Sequence, residues 1–404
     1  MAIIVLAVAV AIVLSLSGIN CGFRATCSWP RSYYKPGKIK RYDDWPGTSF
    51  TLNNSEEYHE YELASAPALR DIQIVYSSTV TRLAINDCPL ADVPGTIGTN
   101  LPSLWTLELT SCQFRNISVN SFRNITHLNN LNLSHNLINT IVPPTNIGDS
   151  LPIQRLELVG NRLSRLDMRH LESLSLYFLY LDANQLEVLE PHECSLPQLQ
   201  ELTLDSNRLE VLNMTLWQMP NLRRLSCVNN RLTSLPAGWR LLPKFHCLDM
   251  SHNRLSTFSM DQLSLTELKL LNLTANRLTS VNTTVAKLHV PLEQLLVARN
   301  ELTVLNISHW SMPRLWDLNV SDNRLTELGD VFVRFRKSSE VFDLRGNNWS
   351  CEWLSSIHPA DLSVHRYGYL LTNDTATCPT NRTLTVWTWS HNPESQSYAI
   401  CCHG

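Results

Sequence analysis

The stretch LQELTLDSNRL, residues 199–209, decides the fold because its pattern returns throughout the chain. The pattern is L-x-x-L-x-L-x-x-N-x-L, with the first leucine as position 1, and it recurs every 23 to 25 residues. Two early copies carry Cys88 and Cys112 at position 9, and a weaker last copy carries Asn347. The clear copies between them place asparagine at position 9: Asn136, Asn161, Asn184, Asn207, Asn230, Asn253, Asn276, Asn300 and Asn323.

The spacing of the leucines predicts the architecture. The L-x-L alternation has the period of a short strand with its leucines on one face. One copy cannot bury those leucines alone, whereas stacked copies share a continuous core. The position 9 asparagine turns inward and satisfies backbone groups of the loop that would otherwise be buried unpaired. The sequence therefore predicts an α/β leucine-rich repeat solenoid (a horseshoe) with a parallel concave sheet and about twelve repeats.

The N-terminus predicts export. Residues 1–18, MAIIVLAVAVAIVLSLSG, form an apolar run followed by small residues, which is typical of a secretory signal peptide. The alternative is an N-terminal membrane anchor, although a spanning helix needs about 20 apolar residues. We expect a secreted, extracellular chain with no transmembrane anchor. Twelve N-x-[ST] sequons agree with export: Asn53, Asn116, Asn124, Asn132, Asn213, Asn272, Asn282, Asn306, Asn319, Asn348, Asn373 and Asn381.

Composition and motifs argue against catalysis and against nucleic acid. The 404-residue chain has a formal charge of −3, which gives no electrostatic reason to expect a nucleic-acid partner. It contains no H-E-x-x-H, G-x-S-x-G, Walker glycine loop or C-x-x-C. Cys401, Cys402 and His403 are potential metal ligands, but an oxidising compartment favours disulfides for these cysteines. We expect no enzyme activity, no cofactor and no metal.

The cysteines mark the predicted ends of the array. Residues 19–79 form the predicted N-terminal cap, with Cys21 and Cys27 as a local pair, and the repeats cover residues 80–349. Residues 350–404 form the predicted C-terminal cap with a double-cysteine motif. There we expect Cys351 and Cys378 each to bond one member of the vicinal pair Cys401 and Cys402, because adjacent residues bond each other only with strain. Four cysteines allow three pairings, and the sequence does not choose among them.

The remaining cysteines leave alternatives open. Cys88 and Cys112 are interpreted as substitutes for asparagine at position 9, with a mutual disulfide as the alternative. Cys227 falls on an inward strand position and is interpreted as core. Eleven cysteines is an odd number, so one thiol is either free or bonded to a second chain.

The signal sequence, the repeat array and the motif "ICC" at residues 400–402, together with Cys351 and Cys378, resemble the mosquito leucine-rich repeat immune proteins (the LRIM family). This resemblance implies a non-enzymatic role in innate immunity within the haemolymph. It also implies complexes with complement-like thioester proteins or with other leucine-rich immune proteins. Typical members continue into C-terminal coiled coils, whereas only two residues follow Cys402 here. We therefore expect the coil-less subclass, or a chain shortened at its C-terminus.

The variable strand positions of the middle repeats form the candidate binding surface. Aromatic and arginine side chains amid polar groups are typical of protein-binding hot spots. The alternative is an aromatic ladder that only packs locally. Sequons Asn132, Asn272 and Asn319 also fall on concave positions, and glycans there would leave repeats five to eight most open. The predicted binding residues are Tyr177, Phe178, Tyr180, Arg155, Arg223, Arg224, His246 and Asp249.

The function predicted from the sequence is recognition or regulation in innate immunity, through binding of a protein partner or a microbial surface. An extracellular matrix or cell-adhesion protein would share every repeat feature, and so would the ectodomain of a Toll-type receptor. A rise in haemolymph level after immune challenge would favour the first reading. Constitutive accumulation in tissue matrix would favour adhesion, and a longer transcript with a membrane span would favour the receptor.

Overall fold

The computed structural model describes residues 37–53, 57–143, 151–263, 266–285, 287–305, 307, 310–331, 341–357, 383–387 and 397–403, with the backbone alone for 383–387 and 397–401. The predicted signal peptide, the pair Cys21 and Cys27, Cys378, the side chain of Cys401, and sequons Asn306, Asn373 and Asn381 lie outside this description.

One long parallel sheet of 14 strands organises the described chain. Each strand pairs with the strand of the next coil, which is the predicted parallel concave sheet, and we call it the long sheet. In order, its strands are Ile39–Tyr42, Glu60–Leu63, Arg82–Asn86, Thr106–Thr110, Asn130–Asn132, Arg155–Glu157, Phe178–Tyr180, Glu201–Thr203, Arg224–Ser226, Cys247–Asp249, Leu270–Asn272, Gln294–Leu296, Asp317–Asn319 and Val341–Asp343.

The register of the long sheet aligns equivalent positions of neighbouring coils. Leu156 stands beside Leu179, Leu179 beside Leu202, and Leu202 beside Leu225. These leucines are buried and form an unbroken apolar row along the solenoid. The residues on either side of each leucine point away from the core, since side chains alternate along a strand. The predicted leucine-rich repeat solenoid of about twelve repeats is confirmed.

The long sheet begins before the recognisable repeats. Strands Ile39–Tyr42 and Glu60–Leu63 pair in parallel with each other and with strand Arg82–Asn86. They lie in the segment that the sequence predicted as the N-terminal cap. Their coils lack the leucine and asparagine spacing, so the repeat pattern could not reveal them.

The outer side of the coils consists mainly of short strands and single turns. Its helical segments are the α-helix Ile97–Asn100 and the 3₁₀ turns Val119–Phe122, Met168–Leu171, Trp239–Leu241 and Met260–Leu263. Short coils leave little room for full helices, and the α component of the fold is small. The parallel outer strands are Ser49–Leu52 with Asp71–Ile74, Asn116–Ser118 with Thr140–Val142, Arg165–Leu166 with Val188–Leu189, Cys194–Ser195 with Trp217–Gln218, Phe258–Ser259 with Ser280–Asn282 and Val304–Leu305, and Leu288–His289 with Trp310–Ser311.

A helix and a disulfide close the last coil. The helix Cys351–Ser356 is capped by the Ser350 hydroxyl, which accepts a hydrogen bond from the Trp353 amide at 3.1 Å. Cys351 is disulfide-bonded to Cys402, so one member of the vicinal pair closes the cap as expected. The antiparallel strands Thr383–Trp387 and Ser397–Cys401 precede this bond.

The position 9 asparagines form a continuous hydrogen-bonded ladder inside the coils. The Nδ2 of Asn207 donates to the carbonyl oxygens of Leu181 and Leu204, both at 3.0 Å. Its Oδ1 accepts from the amide of Leu186 at 2.9 Å, so one side chain joins two coils. The same arrangement recurs at Asn161, Asn184, Asn230, Asn253, Asn276, Asn300, Asn323 and Asn347.

The ladder starts incompletely where the cysteine coils meet the asparagine coils. Cys88 and Cys112 occupy position 9 in adjacent coils and form a disulfide, which was the alternative reading of this pair. Asn136 follows them, and its Nδ2 donates to the carbonyl of Leu109 at 2.8 Å. Its Oδ1 is buried without a hydrogen-bond partner. Asn136 therefore makes the donor contacts that Asn207 makes but lacks the acceptor contact.

This difference yields a matched pair of substitutions. Asn207→Ala leaves the Leu186 amide without its partner and removes one of the two side-chain donors of the Leu181 and Leu204 carbonyls. We expect it to lower the free energy of unfolding by about 2–4 kcal/mol. Asn136→Ala removes the donor bonds but no acceptor bond, so its loss should be smaller by about 1 kcal/mol. Urea unfolding monitored by circular dichroism measures both. Equal losses would mean that the Oδ1 contacts contribute nothing to stability.

Candidate binding surface on the long sheet

The predicted aromatic residues lie together on the long sheet. Phe178 and Tyr180 are the first and last residues of one strand and point to the same face, away from the leucine core. Tyr177 directly precedes that strand, and all three side chains are half-buried. The carbonyl of Tyr177 accepts the amides of Gln200 and Glu201, which fixes this coil against the next.

Arg155 from the preceding coil stacks on these rings. Its guanidinium carbon lies 4.7 Å from the ring centre of Tyr180 and 5.9 Å from that of Phe178. Its Nε donates to Oε1 of Glu157 at 2.6 Å, which holds the side chain in place. A cation over an aromatic face stabilises by roughly 0.5–2 kcal/mol, depending on solvent exposure. The structure thus brings Arg155, Phe178 and Tyr180 into one cluster, which we call the aromatic–arginine cluster.

Burial and charged neighbours shift the pKa values of residues in and beside the cluster. Burial is the main cause that raises the pKa of Tyr180 to about 12, and the nearby Glu201 carboxylate adds to it. Burial also raises the pKa of Glu201, while Arg224 opposes that shift from 3.7 Å. Tyr180 therefore keeps its phenolic proton at physiological pH and offers a partner a hydrogen-bond donor.

The other predicted binding residues lie two or three coils beyond the strand of Tyr180. Arg223 is exposed, and Arg224, His246 and Asp249 are half-buried. Arg224 pairs laterally with Cys247 in the next strand, and Ser226 pairs with Asp249. All of them belong to the long sheet, or directly precede one of its strands. Cys247 itself is disulfide-bonded.

An acidic row beside the same sheet was predicted only in part, since the sequence analysis named Asp249 but not Asp182 or Asp205. Asp182 and Asp205 occupy position 7 in adjacent coils, and Asp249 lies on the long sheet two coils beyond Asp205. Asp182 accepts hydrogen bonds from the Thr203 hydroxyl at 2.6 Å and from the Asp205 amide at 2.7 Å. Asp205 accepts equivalent bonds from Ser226 and Val228 in the next coil. The consecutive strings LDAN and LDSN carry this signal, since both place aspartate two residues before the ladder asparagine.

Because of the acidic row, the two ends of the strands carry side chains of opposite charge. Burial is the largest cause that raises the pKa of Asp205 to about 6, and the carboxylates of Asp182 and Asp249 contribute to that shift. The three acidic residues lie towards the C-terminal ends of the strands. Arg155, Arg223 and Arg224 lie at or just before the N-terminal ends. The surface can therefore contact both acidic and basic groups of one partner.

Replacing Asp205 tests this electrostatic description. Its folded pKa lies above its unfolded value of about 3.9, so its charged form costs stability above pH 6, and that cost disappears as the pH falls towards 4. Asp205→Asn keeps an acceptor for Ser226 and Val228 and removes the charge. We expect a gain of about 2–3 kcal/mol at pH 7.5 and none near pH 4. Denaturation midpoints at the two pH values measure it, and an equal gain at both would contradict the charge argument.

The described sequons divide between two environments. Asn132, Asn272 and Asn319 lie half-buried on the long sheet, as predicted, and each Oδ1 accepts the amide two residues further on. Asn272 also donates from Nδ2 to Oδ2 of Asp249 at 3.0 Å. The exposed sequons are Asn53, Asn116, Asn124, Asn213, Asn282 and Asn348.

The described residues contain no metal-site geometry and no membrane span. No group of three or more histidine, cysteine, aspartate or glutamate side chains in these ranges is placed to hold a metal ion. None of the helices in the same ranges has the length and apolar character needed to cross a bilayer. Cys194 and Cys227 are free thiols in this part of the chain, both are buried, and burial raises the pKa of both.

The fold and this surface define the chain as a leucine-rich repeat protein. No protein-family model matches the sequence. No curated protein matches it either.

Solved structures show where this fold has been seen. A leucine-rich repeat protein of Leptospira interrogans, LIC12759, is 18% identical over 74% of this chain and 87% of that chain, with a TM-score of 0.51. The LRIM1/APL1C complex is 19% identical over 79% of this chain and 58% of that chain, with a TM-score of 0.56. The APL1 leucine-rich repeat domain is 19% identical over 78% and 80%, with a TM-score of 0.55. At these identities the likeness is one of fold.

Proposed function

We propose that the chain is a secreted, non-enzymatic protein of innate immunity that binds a protein partner or a microbial surface through the long sheet. The aromatic–arginine cluster is the observation that carries this proposal. The proposal takes the chain to be a coil-less relative of the mosquito leucine-rich immune proteins. A complement-like thioester protein and another leucine-rich immune protein are its candidate partners.

The cluster has the properties of a binding hot spot. Hot spots are enriched in tyrosine, tryptophan and arginine at the centre of an interface, with polar groups around them. Here Arg155 is held in place by Glu157 and by two rings, so it loses little conformational entropy when a partner binds. Nothing in the leucine-rich fold requires aromatic residues at these variable positions. The acidic row beside the cluster adds charge complementarity, which favours specificity and association rate.

The fold comparison supports the immune setting. The LRIM1/APL1C structure is a complex of two proteins, and its fold is similar to that of this chain over 79% of the residues. Together with the double-cysteine motif, of which Cys402 is bonded to Cys351, this favours the LRIM-type reading over matrix adhesion. The aromatic–arginine cluster would then contact the partner directly.

Alanine substitution tests the binding role of the cluster. We expect Tyr177→Ala/Tyr180→Ala to weaken binding by about 10-fold or more while leaving secretion unchanged, since truncating a hot-spot side chain costs about 2 kcal/mol. The probes are a purified complement-like thioester protein, a purified APL1-type leucine-rich repeat domain and washed bacterial cells. Biolayer interferometry gives dissociation constants for the two proteins, and a cell pull-down measures the third.

Trp105→Ala is the matched control. Trp105 also directly precedes a strand of the long sheet and is exposed, but it lies three coils before Tyr177. Binding by the control should equal that of the wild type. Intact binding by the tyrosine variant would place the contact elsewhere. Loss of its secretion would mean that the two tyrosines are structural.

A further inference from the structure

Most exposed apolar side chains of the described residues lie away from the long sheet. Among the large hydrophobic residues that are exposed in these ranges, Ile39 lies in the long sheet and Trp105 directly precedes one of its strands. Exposed apolar residues that form a contiguous patch mark an interaction site or promote aggregation. The other exposed residues lie on the outer segments of the coils: Val75, Tyr76, Val142, Val211, Leu216, Leu241, Val285 and Val304.

The largest group surrounds Asn213. Val211 is 64% exposed, and it precedes Asn213 by two residues on the same face of an extended segment, about 7 Å away. Leu216 follows Asn213 by three residues. Asn213 pairs in parallel with Ala237 of the next coil, which brings in the turn that carries Leu241, 73% exposed. Three exposed apolar residues therefore lie on the segment of this exposed sequon or on the segment paired with it.

Two further sequons have apolar neighbours by strand pairing. The Val75 amide donates to the Leu52 carbonyl, which places Val75 beside Asn53, and Tyr76 follows it. Ser118, the third residue of the Asn116 sequon, pairs with Val142 in the neighbouring outer strand. Adjacent parallel strands lie about 4.8 Å apart, so each apolar group is a direct lateral neighbour of its sequon.

Asn282 is the fourth exposed sequon with exposed apolar neighbours. Ser280 pairs with Val304, and Asn282 lies two residues further along on the same outward face. Val285 follows Asn282 by three residues. Each of the eight exposed apolar residues on the outer segments thus lies on the segment of one of four exposed sequons or on the segment paired with it. The other two exposed sequons, Asn124 and Asn348, have no exposed large apolar residue within three positions in sequence.

We propose that N-linked glycans at Asn53, Asn116, Asn213 and Asn282 cover the apolar groups of the outer segments, with the glycan of Asn213 covering Val211, Leu216 and Leu241. A glycan is bulky and strongly hydrated on its outer side, so it can shield apolar surface and keep the chain soluble. This inference rests on the proposed function only in requiring export through the secretory pathway. It does not depend on what the long sheet binds.

The first experiment measures occupancy and exposure in the protein as secreted from insect cells. Mass spectrometry of glycopeptides should find Asn213 occupied. Asn213→Gln should raise the fluorescence of an apolar-surface dye several-fold and lower the temperature at which light scattering begins. Asn348→Gln, which removes an exposed sequon without apolar neighbours, should change neither. Asn213→Gln/Leu216→Ser/Leu241→Ser should return both readings to those of the wild type.

The outcomes separate this inference from the proposed function. An unoccupied Asn213 in a secreted, otherwise glycosylated chain overturns the shielding alone, and so does an equal rise for Asn213→Gln and Asn348→Gln. A chain that is not exported contradicts the proposed function instead. If Asn213→Gln is not secreted, a peptide-N-glycosidase applied to the folded wild type and to Leu216→Ser/Leu241→Ser replaces it. Only the wild type should then gain dye binding, and an equal gain in both would overturn the shielding.

Discussion

The hydrogen bonds of the position 9 asparagine are the constraint on which the solenoid depends. Each coil turns a loop into the interior, and that loop exposes two carbonyls and one amide to an apolar neighbour. A carboxamide supplies donors and an acceptor from one short side chain, as Asn207 does for Leu181, Leu204 and Leu186. Cysteine supplies neither a strong donor nor a strong acceptor. Where Cys88 and Cys112 replace the asparagine, a covalent bond between the coils takes over, and the Asn136 oxygen beside them is left without a partner.

The same loop also limits the freedom of the binding surface. The backbone amide at position 7 donates a hydrogen bond to a side chain in one of two ways. In several coils a carboxamide or carboxylate at position 5 of the same coil bonds it, as Asn319 does for Ser321. In the coils of Asp205 and Val228 the bond comes instead from an aspartate at position 7 of the preceding coil. This second solution leaves position 5 open to other residues, and Thr203 and Ser226 occupy it in those two coils. Their hydroxyls donate to Asp182 and Asp205, so the acidic row and its hydroxyl neighbours are two consequences of one local choice.

The sequence predicted what depends on spacing and missed what depends on side-chain placement. The leucine and asparagine spacing located the strands of the long sheet from Arg82 to Asp343, because those residues are buried in every coil. The spacing could not reveal strands Ile39–Tyr42 and Glu60–Leu63, because their coils lack both the spaced leucines and the asparagine. The spacing placed Cys88 and Cys112 in adjacent coils, but only the structure shows their bond. The stacking of Arg155 on two rings depends on rotamers that no repeat pattern encodes.

Strand formation explains the valines of the outer segments independently of any glycan. The outer segments are short strands that pair between coils, and β-branched residues favour such strands. Alternation along a strand turns every second residue outward, so valine at Val142 or Val304 serves strand formation at the expense of exposed apolar area. A thin solenoid cannot bury that area, because each coil has only one layer of core. Strand propensity thus favours valine at these positions, whereas solubility favours covering its exposed side chain. An asparagine sequon on the same or the adjacent outer strand meets both requirements without altering the core.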